Sequence, residues 1–322
     1  MAGNTNFTTL ITTTLQNFGK EIFDNVVTNN ALLNTLKSNG NIKVVGGGRQ
    51  FTHPLRHALN NTFAARARSA AIPLTVQDHI TRSQWDVKVV DGSVVLNEVE
   101  LAMNAGDREK LIDLAVEMKD SAVSSLSEVM GDQVFSTSVG ANDLDSIPRI
   151  VSTVPTADTD VGGIDSTASG NSYWRNQVYS TAVTAFGTGQ AGLNAMSTLL
   201  RNCIFGNKGP TAIFTTKAVF TLYELALTNN TRYTQMTVGD GGFHKLVYET
   251  IPVYFDDNCP ANRMYFVDTT AIMLQVLRDG NFRVGEFQES ETQLVKRALV
   301  WVACNITCGE RRTSGVISSI TG

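Results

Sequence analysis

An α+β fold is what the 322-residue sequence predicts, and three observations predict it. From Arg49 to Leu96 the chain reads as extended, with strand-like ends and a middle poor in large apolar side chains. Directly after it comes one long amphipathic helix pattern. Beyond about residue 166, helix patterns such as "GLNAMSTLLRN" and "TKAVFTLYELALTN" alternate with short apolar strand patterns such as "TAIFTT" and "IPVYFDD". Taken alone that last region is an α/β or α+β pattern; with a ribbon and a long helix ahead of it, α+β is the class expected for the chain.

Each element follows from local pattern. Phe7, Leu10, Ile11, Leu15, Phe18 and Ile22 sit near helical spacing, so residues 7–23 are predicted as an amphipathic helix. "NNALLNTLKSNG" predicts a short helix and "NIKVV" a strand, which ends at Gly46-Gly47-Gly48. No Lys and Ser/Thr follow those glycines in phosphate-loop positions, so they are read as a flexible lead-in. In "RQFTHPLRH", Pro54 places the strand at an edge, because proline cannot donate to a central ladder. His53 and His57 stand four apart, but Pro54 between them rules out a helical metal pair, and they read as polar residues of an exposed ribbon. "ITRSQWDVKVV" is the returning strand; an isolated two-stranded ribbon is only marginally stable and needs cover from elsewhere.

The helix pattern spans residues 107–130, with Leu111, Leu114, Ala115, Met118, Ala122, Leu126, Val129 and Met130 in one stripe and Gly131 read as its stop. "SIPRIVSTVP" reads as a strand, and "TADTDVGGIDSTASGNS" as a polar loop dividing two domains. "RMYFVDTTAIML" and "QLVKRALVWVACNITC" are predicted strands, the second leading into "GERRTSGVI".

Composition bounds the function. Formal net charge is −4, so no basic field advertises nucleic-acid affinity. The first basic residue is Lys20 and the longest apolar runs fall short of a membrane span, so a soluble protein made in a cytoplasm is expected. Cys203, Cys259, Cys304 and Cys308 are then expected as reduced thiols, with no metal. Neither Gly-x-Ser-x-Gly nor His-Glu-x-x-His occurs, and the acidic or ionisable pairs Asp256-Asp257 and Asp78-His79 read as solvated surface. "FGTGQAGL" spells G-x-G-x-x-G at Gly187, Gly189 and Gly192, with "STAVTAF" before it as a possible strand. A dinucleotide site wants an acidic residue about 20 positions on. None lies between Asp165 and Glu224, so the glycines are read as a turn into a helix and no cofactor is expected.

The order of these segments resembles the major capsid proteins of tailed bacteriophages, the Hong Kong 97-like family. "NNALLNTLKSNG" followed by "GGGRQFTHPLRHALN" is similar to that family's arm and extended loop, and "LAMNAGDREKLIDLAVEMKDSAVSSLSEVMGDQVFS" to its spine helix. "NSYWRNQ", "GPTAIFTTKAVFTLYELA", "IPVYFDDNCPANRMYFVDTT" and "WVACNITCGERRTSGVI" resemble later segments in the family's order. The resemblance implies an arm over 1–48, an extended loop over 49–96, a peripheral domain over 97–165 and 272–322, and an axial domain over 166–271. Where it implies a glycine, this chain has Glu249-Thr250.

It further implies hexamers and pentamers of an icosahedral head, assembled in a bacterial host cytoplasm and enclosing double-stranded DNA without gripping it. Scaffolding, portal and decoration proteins are the implied partners. The scaffold is expected as a separate protein, because the arm begins almost at Met1. Subunit contacts are expected at Arg49, Phe51, His53, Arg56, Phe63, Arg66, Arg68, Trp85, Arg311 and Arg312. An encapsulin-like compartment shell, a tail or connector protein, and a nucleotide-binding α/β enzyme using Gly187–Gly192 are the alternatives left open by sequence.

Overall fold

The computed structural model describes residues 30–98, 122, 125–126, 128–187, 190–229, 237–238, 244–281, 283–285, 288–289 and 292–321. The amphipathic stretch 7–23 and Leu111, Leu114, Ala115 and Met118 of the helix stripe lie outside the described residues.

In chain order the elements are α1 (Ala31–Ser38), β1 (Ile42–Val45), β2 (Gln50–Arg56), β3 (Ile80–Asp86), β4 (Lys88–Asn97), α2 (Ile147–Ile150), β5 (Gln177–Tyr179), α3 (Ala191–Cys203), β6 (Ala212–Thr215), α4 (Lys217–Asn229), β7 (Thr237–Val238), β8 (His244–Tyr248), β9 (Ile251–Phe255), β10 (Met264–Val267), β11 (Ile272–Leu277), β12 (Arg283–Val284), β13 (Gln288–Glu289), β14 (Val295–Cys308) and β15 (Gly315–Ile317). A helical stretch also covers 128–134, and a 3₁₀ turn covers Ser169–Trp174.

Two sheets and a ribbon organise these strands. The long strand β14 carries β4 along one edge, and β11, β12 and β13 in succession along the other; β1 closes that side in parallel with β11. The second sheet has the order β5-β15-β10-β6-β9-β8-β7. Alternation assigns its two faces. Ile213, Met264, Phe266 and Ile317 face one way and pack with Met196 and Leu199 of α3 and Val219, Phe220 and Tyr223 of α4. Their neighbours Phe214, Tyr265, Val267 and Val316 face the other way, into a cluster shared with α1, the ribbon's root and the first sheet.

That shared core corrects several expectations. "RMYFVDTTAIML" is not one strand but two, β10 in the second sheet and β11 in the first. Buried Asp268 makes the crossing, its Oδ1 accepting from Thr270 N and Thr270 Oγ1. The C-terminal β15 sits inside the second sheet between β5 and β10, so the block 272–322 is divided between both sheets. "SIPRIVSTVP" opens as a helical turn rather than a strand, because Ser146 caps it through Arg149 N and Pro148 fits the first turn.

Gly131 does not stop the helix, which runs on to residue 134. A Cβ there would lie 2.8 Å from Asn258 Nδ2, so the glycine serves close packing instead. Leu126 and Met130 of the stripe are buried, whereas Val129 is exposed. Within the stretch 156–168, Val161, Ile164 and Ser166 are buried, and Gly162 O accepts from Gln84 N of the ribbon at 2.8 Å.

Candidate functional site: the extended ribbon and its root

Among the described residues β2 and β3 pair only with each other, from Gln50↔Asp86 to Arg56↔Ile80. This isolation suits Pro54, which has no N–H for a second partner. Alternation points Phe51, His53 and Leu55 inward together with Ser83 and Trp85. Phe51 and Trp85 are each 2% exposed; Trp85 Nε1 donates to Ser83 Oγ, and that hydroxyl donates to Cys308 O of β14. The root is therefore part of the subunit's own core. His53 meets the first sheet directly, through Thr307 and Gln275.

Beyond the ladder, residues 58–78 leave the core. Leu59, Phe63, Ile72, Leu74 and Val76 are 70–101% exposed, and Arg66 and Arg68 are exposed beside them. Large apolar side chains scattered singly on a surface are ordinary; five on one short segment with no fold of its own are not. Backbone order there is limited to small turns, such as Ala70 N donating to Ala67 O and Asn60 Oδ1 accepting from Thr62 N.

The ten expected contact residues thus separate. Arg49, Arg56, Phe63, Arg66, Arg68 and Arg312 are exposed, and His53 is half-buried against the first sheet. Phe51, Trp85 and Arg311 are buried inside the subunit, which corrects their expected place on a contact surface. Arg311 is 0% exposed: its Nε donates to Ile150 O, and its Nη2 to Asp158 Oδ2 at 2.6 Å and to Asn176 Oδ1. It clamps the 156–168 stretch to α2. Its neighbour Arg312 lies over the exposed Phe205 ring at 4.1 Å. Alternating backbone direction at one turn separates a structural arginine from a surface one, and the pair "RR" carries no sign of it.

Other candidates also move. Asp256 is not solvated surface but 8% exposed, with Oδ1 accepting from Asn258 N and Oδ2 buried without a partner. Burial pushes its carboxyl above the usual range. Asp145 is buried as well, and desolvation raises it against the pull of Arg149 and of the Asn305 amide that donates to it at 2.8 Å.

Cys304 and Cys308 lie four residues apart on one strand, about 13 Å at strand rise, too far for a disulfide. Burial pushes both thiols up to about 12. Among the described residues no group of three or more His, Cys, Asp and Glu is placed to hold a metal ion, and no helix is long and apolar enough to cross a membrane.

The glycine motif lacks the strand-turn-helix setting that a dinucleotide needs. β5 ends at Tyr179, Val183 makes only a single bridge to Ile320, and 184–187 form a turn. A Cβ on Gly192 would lie 2.7 Å from Phe186 O, so this glycine lets α3 close on the turn before it. A Cβ on Gly187 would lie 3.3 Å from Leu222, so that glycine too lies in close packing; Gly189 lies outside the described residues.

A ribbon rooted in a subunit core, a sheet built on one long strand and a second sheet with two flanking helices define a class of fold seen in closed protein shells. No family model and no curated protein matches the sequence. Solved structures do. A chain of the cyanophage A-1(L) capsid asymmetric unit superposes with a TM-score of 0.65 at 14% identity, covering 87% of this chain and 90% of that one. The capsid of a native GTA particle gives 0.56 at 9% identity, covering 89% and 90%. The holo-SrpI encapsulin complex from Synechococcus elongatus gives 0.53 at 10% identity, covering 86% and 84%. This chain has the Hong Kong 97-like fold of tailed-phage major capsid proteins.

Proposed function

We propose that the chain is a major capsid subunit that assembles into hexamers and pentamers of an icosahedral phage head around double-stranded DNA. The observation that carries this is the segment 58–78: five exposed apolar side chains on a loop whose root is locked into the core of a shell-type fold. Full burial of a Leu, Ile, Val or Phe side chain is worth about 1.5–3 kcal/mol. Five of them give roughly 7–15 kcal/mol gross, from which ordering costs about 0.5–1.5 kcal/mol per side chain. That burial offsets part of the cost of association when a neighbouring copy covers the loop, and a closed shell offers such a neighbour to every subunit.

The mild negative charge fits the same role. A shell that neutralised many phosphates would bind its genome with a salt-sensitive grip that hinders loading and release. Separate scaffolding, portal and decoration proteins, and assembly in a host cytoplasm, complete the proposal. The likeness to an encapsulin chain favours a second reading, a compartment shell that encloses protein cargo. Negative-stain microscopy of the purified protein tests the shell, with closed particles expected. Nucleic acid inside them supports the phage head, enclosed protein the compartment. Rings, tubes or dispersed monomers would overturn both.

A further inference from the structure

The ribbon's root rests on the first sheet through one titratable side chain. His53 lies on the inner face of β2, opposite Ser83 of β3. Its Nε2 is 2.9 Å from Thr307 Oγ1 on β14 and 3.3 Å from Gln275 Nε2 on β11, both buried residues. An amide nitrogen can only donate, so the contact with Gln275 requires a bare Nε2 and hence the neutral ring with its proton on Nδ1. Thr307 Oγ1 also reaches Met273 O at 3.2 Å, so its hydrogen has an alternative acceptor, whereas the Gln275 amine faces the imidazole.

We infer that His53 is a proton-operated latch: protonation of Nε2 sets a second donor against the Gln275 amine and releases the ribbon's root from β11, while Thr307 of β14 can still accept from the ring. The charged group acting on His53 is Lys43 of β1; Ser83, Gln275 and Thr307, the groups offered by β3, β11 and β14, are neutral. Among the described residues an imidazolium there meets one like charge, Lys43, and no counter-ion. Burial and then Lys43 hold the seated ring below the ordinary histidine value.

A released ring regains a value near 6.5, so the released state binds more protons than the seated one below that pH. The latch is complete only well above pH 6.5, from about pH 7.5. It weakens as pH falls, the opening constant rising by up to tenfold per pH unit until the seated ring itself protonates. The latch stands on these contacts alone; that it would make subunit contacts acid-sensitive rests on the proposed function.

Hydrogen exchange of the full-length protein at pH 7.5, 6.5 and 5.5, corrected for intrinsic rates, tests it on peptides covering 50–56 and 80–86. Opening relative to β14 should rise towards about tenfold between pH 7.5 and 5.5, and His53→Gln should abolish the rise while His57→Gln and His79→Gln keep it. Gln275→Glu, which offers the imidazolium an acceptor and a counter-charge, should reverse the trend so that acid tightens the root. A flat wild-type profile, or a rise that survives both His53→Gln and Gln275→Glu, overturns the latch. Exchange is read within each chain, so the outcome does not depend on whether shells form.

Discussion

Gly162 faces the ribbon's root at the closest approach the 156–168 stretch makes to it. Its φ is +64°, and a Cβ there would lie 2.8 and 2.9 Å from the Trp85 ring and 3.3 Å from Ser83 Cβ. Trp85 cannot swing aside, being 2% exposed and bonded through Nε1 to Ser83. For Gly162→Ala, the left-handed backbone costs about 1–2 kcal/mol and overpacking against the ring about 1–3 kcal/mol. Loss of unfolded-state freedom returns about 0.4–1 kcal/mol, leaving a net destabilisation of about 2–4 kcal/mol. Gly163→Ala is the internal control. Its φ is +70°, but its nearest would-be contact is Gln84 Cβ at 3.5 Å, an ordinary distance. That variant should lose about 1 kcal/mol or less. Denaturant unfolding followed by circular dichroism measures both. If Gly162→Ala costs no more than Gly163→Ala, the loop does not bear on Trp85 and the account of the root is wrong.

Four further outcomes are expected. Thr250→Gly should stabilise by about 1 kcal/mol in the same assay, since Glu249 (φ 47°) and Thr250 (φ 84°) both hold left-handed backbone in the two-residue turn joining β8 and β9. Arg311→Ala should cost about 3–5 kcal/mol by stranding Asp158, whereas Arg312→Ala should leave folding stability nearly unchanged. Asp256 has its folded pKa raised by burial, so the folded state binds the proton more tightly and wild-type stability gains as pH falls from neutral towards 4. The difference between Asp256→Asn and wild type should accordingly shrink over that interval, and a pH-independent difference would refute the buried charge. The four cysteines should resist thiol reagents in the native protein and react on unfolding, because all are buried with raised pKa values.

What was legible in sequence followed periodicity and turn chemistry. α1, α3, α4, β6, β9 and β14 lie where their patterns put them, because each buries a stripe or face that the amino acids declare locally. The turn at Glu249-Thr250 was flagged by the absence of glycine, and it is the place where two side-chain-bearing residues hold positive φ. Long-range events left no such mark. Nothing in "FVDTTAI" says that β10 and β11 belong to different sheets; that depends on Asp268 and Thr269 meeting Ser314 and Thr211, far away in the chain. Gly131 reads as a helix stop until Asn258 is known to lie against it. The ribbon's middle was legible by its poverty in core-forming residues, but the division of its root into buried Phe51 and Trp85 and exposed Arg49 and Arg56 needed the partner sheet.

The central claim is that the exposed segment joins copies of the chain and is dispensable for the fold of one copy. Replacing Leu59–Val76, which carries all five exposed apolar side chains, with a short Gly-Ser turn tests it most directly, because shortening a loop changes closure entropy only slowly and the deleted residues lie outside the core. Sedimentation, with circular dichroism alongside, is the measurement. The account predicts a variant with wild-type secondary structure and unfolding midpoint that sediments as small species and forms no closed particle. Normal closed particles from that variant would contradict it.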